Sequence, residues 1–124
     1  MLKLKTKWFN KWAGKRNISD KCLIKTIENI SDNLGVVDLG AGLIKVRTPK
    51  YGQGKRGGYR TILVYRKDDL AIFIYGFTKN EKKNLDKDEL IYFKKLANDL
   101  LKLSDRKILE LEREGSFIKI KVQK

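Results

Sequence analysis

Eight cations lie between Lys45 and Lys67 (Lys45, Arg47, Lys50, Lys55, Arg56, Arg60, Arg66 and Lys67), and no carboxylate falls among them. Glycines interrupt the run at positions 52, 54, 57 and 58, just before the strand-like Tyr59-Arg60-Thr61-Ile62. Cations beside a glycine-rich backbone at the mouth of a sheet suit the phosphates of a polyanion, which can approach the main chain closely there. Lys79 and Lys82 add to them after the next apolar run. Histidine is absent, which removes imidazole acid–base chemistry, His metal ligation and Ser-His or Cys-His triads. Any catalysis must therefore run on Lys, Arg, Tyr or carboxylates. Cys22 stands alone, so no internal disulfide or cysteine metal site is expected, which fits a reducing cytoplasm. On its apolar helical face it reads as a small buried hydrophobe.

The 124 residues carry 29 Lys and Arg against 15 Asp and Glu, a formal net charge of +14. So strong an imbalance implies an anionic partner, most often nucleic acid. A lysine-rich genome could raise the total, but it does not account for the clustering, because the acids sit in residues 20–38 and 68–114. A chain of this length is expected to form one domain, 1–124, with one core. No apolar run of about 18 residues exists, so no membrane span is expected. The basic start, Met1 to Trp12, lacks the apolar stretch of a secretory leader.

The elements that must position the cations follow from periodicity. Residues 3–14, with Trp8 and Trp12 at i and i+4, read as a short helix whose aromatic stripe packs on the rest, with base stacking as the alternative. Residues 19–32 read as a helix capped by Ser19 or Asp20, with Leu23, Ile27, Ile30 and Leu34 on one face and Gly35 as its stop. The period then changes to two. Leu43–Thr48 reads as a strand ended by Pro49, residues 50–58 as a glycine-rich loop, and Tyr59–Arg66 with Leu70–Phe77 as an antiparallel hairpin. A capping box at Asp86 and Glu89 opens a helix over 87–103. A shorter one follows over 104–113, capped by Ser104 or Asp105. Phe117, Ile118, Ile120 and Val122 alternate with lysines as a last strand. The fold class is α+β: a small antiparallel sheet, centred on a three-strand meander, with N-terminal helices and a C-terminal helix packed against it.

The segment Lys55-Arg56-Gly57-Gly58-Tyr59-Arg60-Thr61 and the later Phe73-Ile74-Tyr75-Gly76-Phe77-Thr78-Lys79-Asn80-Glu81 together resemble the RelE-like toxins of bacterial type II toxin–antitoxin systems, in particular the HigB-type branch. There, G-K-x-G-G-Y-R precedes a strand, and the next strand ends in F-x-Y-G-F-x-K-x-E. The aromatic N-terminal segment, the stretch from Asp38 to Arg47 and the tail from Leu101 to Ile108 fall in the same order, so the resemblance covers nearly the whole chain. It implies a ribosome-dependent mRNA endonuclease (an mRNA interferase) that stops translation by cutting the message in the ribosomal A site. The implied partners are a cognate antitoxin, commonly of helix-turn-helix type, and the ribosome with its mRNA. No metal, small-molecule cofactor or membrane is implied, and the setting is cytoplasmic.

Matched motif to motif, Arg60 falls on the family's strand arginine, Lys45 and Arg47 near its preceding basic strand, and Lys79 on the basic position after the third strand. These four are the implied catalytic set, and Lys55, Arg56, Tyr51, Arg66 and Lys82 are the expected nucleic-acid contacts. Asn80 departs from the pattern, because well-studied relatives carry a second arginine beside the lysine. The tyrosine in the last helix of some relatives has no counterpart, since Leu85 or Asp86 stands near its place. The phosphate-binding half of the site therefore transfers, while the general acid and base stay open among Lys45, Lys55 and Lys79. A guanidinium against the phosphorane would form charge-assisted bonds that strengthen in the transition state. Tyr75 reads as a packing aromatic, and Tyr51 as the better stacking candidate. Asp38 and Glu81 read as ion-pair partners. Two alternatives use the same scaffold: a non-catalytic gyrase inhibitor of the ParE branch, and a plain nucleic-acid-binding module.

Overall fold

The computed structural model describes residues 1–49 and 58–121. In chain order the elements are strand β1 (Leu2–Thr6), helices α1 (Lys7–Lys15) and α2 (Asp20–Ser31), strands β2 (Val36–Gly40), β3 (Leu43–Thr48), β4 (Tyr59–Arg66) and β5 (Leu70–Thr78), helices α3 (Lys87–Leu101) and α4 (Asp105–Arg113), and strand β6 (Phe117–Lys119). Across the single sheet the order is β2-β3-β4-β5-β1-β6. β2 to β5 form an antiparallel meander. β1 then runs parallel to β5, with Leu4 opposite Ile72, and antiparallel to β6.

The α+β class holds, and the N-terminus is corrected. Residues 2–6 are an interior strand of the sheet, between β5 and the edge strand β6, not the start of a helix over 3–14. The alternation Leu2-Lys3-Leu4-Lys5 carried that signal: Leu4 is fully buried in the core beneath α3 and α4, and Lys5 turns to the opposite face. There its Nζ meets Asp20 Oδ1 at 2.7 Å, while Asp20 Oδ2 accepts the Lys121 N–H at 2.8 Å. Ser19 and Ser104 serve as the caps of α2 and α4, and the capping box of Asp86 and Glu89 is present.

Alternation along the strands divides the core between two layers. Ile44, Val46, Leu63 and Phe73 meet Phe9, Trp12, Leu23 and Ile27 of α1 and α2. Leu43, Ile62, Val64 and Ile72 meet Phe93, Ala97, Leu100 and Ile108 of α3 and α4. Behind the strand ends that carry Arg47 and Arg60, a buried chain of threonines fixes the register. Thr26 Oγ1 bonds Thr48 Oγ1 at 3.1 Å, Thr48 bonds Thr61 Oγ1 at 3.0 Å, and Thr61 Oγ1 donates to the Val46 carbonyl. Gly76 has a steric reason: a Cβ there would lie 2.5 Å from Trp12 ring atoms, so only glycine lets the indole lie on β5. None of the described helices is long and apolar enough to cross a membrane.

Candidate nucleic-acid interface

β3 and β4 pair so that Arg47 stands directly opposite Arg60, and Lys45 opposite Ile62, which in turn faces Tyr75 on β5. Directly opposed residues share a face at Cβ separations of about 4.5–5.5 Å, and like charges placed so oppose sheet formation. The Arg60 guanidinium has its pKa lowered, first by burial and then by the Arg47 charge. Its Nη1 is buried without a hydrogen-bond partner among the described residues. Such a donor is costly to leave unmet, and an anionic oxygen would meet it with a charge-assisted bond. Gly58 makes room for this geometry: a Cβ there would approach the Arg47 Nε to 3.3 Å and the Thr48 carbonyl to 3.1 Å.

The 79–86 connection borders the same face and is tied down at three points. Arg16 Nη2 pairs with Glu81 at 3.6 Å, Lys45 Nζ donates to Asn84 Oδ1 at 2.5 Å, and Lys82 Nζ lies 2.6 Å from Glu89 Oε1. These ties place exposed Lys79 in the turn just after β5. Lys82 also sits 5.7 Å above the Tyr75 ring. Burial and then the Glu89 carboxylate push the Tyr75 phenol up, while the Glu89 bond raises the Lys82 ammonium. Partial burial pushes the Glu89 carboxyl up, but the Lys82 bond and the Asp86 N–H outweigh it and hold it at about 2. At neutral pH this corner is therefore phenol, ammonium and carboxylate.

Lys45, Arg47 and Arg60 thus share one face, with Lys82 at its border and Lys79 in the adjoining turn. Arg66 lies at the opposite end of β4, six residues from Arg60, about 20 Å along a strand. There it pairs with Asp69 and donates to the Leu101 carbonyl at the end of α3. Tyr51, Lys55 and Arg56 fall outside the described residues. Glu81 is an ion-pair partner as read, and Asp38 accepts the Gly40 N–H in the β2–β3 turn. Asn84 and the Tyr75–Lys82–Glu89 corner escaped the sequence reading. Glu89 was visible only as a cap, and nothing local signals that its second oxygen and Lys82 close over Tyr75. Among the described residues no group of three or more His, Cys, Asp or Glu side chains could hold a metal ion.

No curated protein matches the chain. A family model described as the RelE toxin of the RelE/RelB toxin–antitoxin system matches residues 1–120. A basic sheet face built on the GGYR strand, in a chain matched almost end to end, leads to one assignment: this protein belongs to the RelE toxin family of toxin–antitoxin systems.

Proposed function

We propose that this toxin is a ribosome-dependent, metal-independent endoribonuclease that cuts mRNA in the ribosomal A site, with Arg60 and Arg47 holding the scissile phosphate. The observation that carries the reading is the cross-strand arginine pair with a buried, unmet Arg60 donor. In the step envisaged, the ribose 2′-oxygen forms a bond to the adjacent phosphorus and the bond to the 5′-oxygen breaks. A 2′,3′-cyclic phosphate and a 5′-hydroxyl result. Negative charge grows on the equatorial oxygens, where paired guanidiniums bind more tightly than in the ground state. Lys45 and Lys79 are the candidates for taking the 2′-proton, delivering one to the leaving oxygen, or adding positive charge. The Tyr75–Lys82–Glu89 corner holds no group shifted toward neutrality. That favours a site working by electrostatics and positioning, with the ribosome presenting the RNA in line. A cognate antitoxin would silence it by covering the same cations.

Primer extension on a defined mRNA, with and without programmed ribosomes, tests the reading beside Arg60→Ala. Cleavage only with ribosomes, and lost by orders of magnitude in the variant, is the expected result. Equal cleavage by Arg60→Ala would sink the assignment of the site. RNA binding without cleavage in any tube would point instead to a binding module or a gyrase inhibitor.

A further inference from the structure

Next to the arginine pair the surface turns from basic to aromatic. Trp8 leaves the core at the start of α1, where β1 has ended, and stacks on Tyr75 with centroids 4.8 Å apart and planes at 27°. It remains 48% exposed, and Tyr92 of α3 is 65% exposed. These three rings, with Ile74, Phe93 and Leu96, line an open groove of about 320 Å³. Large aromatics left in water at a groove usually mark a binding site. On its other side Trp8 borders a second cleft, formed with Lys11, Lys15 and Arg16. No acid occurs in α1.

We propose that this groove is a nucleobase subsite of the toxin, in which a base flanking the scissile phosphate stacks on exposed Tyr92 and lies against the open edge of Trp8, whose ring is already stacked with Tyr75 and Trp12, while its phosphates run over Lys11 and Lys15. The inference rests on the RNA reading of the arginine pair and extends it to a second point of contact. Two features select single-stranded RNA as the occupant. Flat rings bordered by cations fit a base with its backbone. Tyr75, one wall of the groove, is also the diagonal neighbour of Arg60 on the sheet, about 7–8 Å away. One strand can therefore touch both.

The test is fluorescence anisotropy of a short 2′-O-methyl oligoribonucleotide, which cannot be cut because its nucleophile is blocked, with wild type, Tyr92→Ala, Trp8→Ala and Arg60→Ala. Tyr92→Ala and Trp8→Ala should each weaken binding by roughly 5- to 150-fold, one stacked base's worth. An abasic nucleotide at the stacking position should cost wild type a similar factor and cost Tyr92→Ala little more. Tyr92 is exposed on a helix surface, so its variant tests the idea even if Trp8→Ala folds poorly. If both groove variants bind like wild type while Arg60→Ala fails, the subsite is refuted and the nuclease reading stands. If they keep RNA but lose the cognate antitoxin, the groove belongs to a peptide and the proposal is wrong. No binding by wild type, with no cleavage on ribosomes, removes both readings.

Discussion

Arg60→Met should make this protein more stable and inactive together. Methionine keeps the unbranched stem that packs beside Ile62 but removes the guanidinium. Two costs disappear with it. One is the buried Nη1 without an acceptor, worth about 1–3 kcal/mol where fully desolvated. The other is repulsion from Arg47 across the strand pair. At a charge separation of about 6 Å that repulsion is about 0.7 kcal/mol in water and about 3 kcal/mol at an effective dielectric of 20. Arg60 is only partly buried, so the lower ends apply, and lost contacts of the guanidinium offset part of the gain. A net gain of about 1 kcal/mol is expected, or about 3–5 °C in Tm for a chain of this size. Urea denaturation and a thermal scan would measure it, with ribosome-dependent cleavage assayed on the same preparations. Sulfate should raise the Tm of wild type by occupying the arginine site, and raise that of Arg60→Met less. A variant less stable than wild type, or one that still cleaves, would refute the claim that this arginine is kept for an anion at the fold's expense.

Three further outcomes follow from named contacts. Glu89, held at about 2 beside Lys82, has a depressed pKa, so its stabilisation is complete above the ordinary carboxylate value and is lost as pH falls toward 2. Glu89→Gln should therefore remove about 1 kcal/mol at pH 7, the scale of a partly exposed pair, and flatten the acid limb of stability between about pH 4.5 and 2 in urea titrations. Gly76→Ala places a methyl 2.5 Å from Trp12 and should cost about 1–3 kcal/mol by denaturation, with altered tryptophan fluorescence. Asp20→Ala leaves Lys5 uncompensated between sheet and helix, where the two side chains are 11% and 19% exposed. It should lower stability by about 3–5 kcal/mol, and Lys5→Met in the same chain should recover part of that loss.

Elements specified by near neighbours are legible in the sequence. Ser19, the Asp86 and Glu89 box, and the period-two runs of β3, β4 and β5 depend on residues two to four apart, the range over which backbone geometry repeats. The N-terminal strand is not legible, for the same reason. Helical spacing of Trp8 and Trp12 extends the pattern backward to Lys3, although the partners of Leu2 to Lys5, Leu70 to Phe73, lie some seventy residues away. The parallel pairing that puts β1 inside the sheet has no local signature.

The site divides along the same line. Residue order and type determined that the chain carries a cluster of cations without carboxylates, that no imidazole serves it, and that glycines precede Arg60. Only the tertiary structure decided which cations act together. Pairing of β3 with β4 set Arg47 against Arg60, the 79–86 connection brought Asn84 to Lys45, and Arg66 was carried to the far end of β4. Trp12 became core and Trp8 stayed half-exposed, although both lie on one helical stripe, because Trp12 is seated over Gly76 between Phe9 and Tyr59 while Trp8 meets only the Tyr75 and Trp12 rings at the sheet's margin. Charge and residue type are properties of the chain. Register, and hence which charges face one another, is settled by burying both faces of a sheet at once, and a shift of one residue would have turned every cation to the other side.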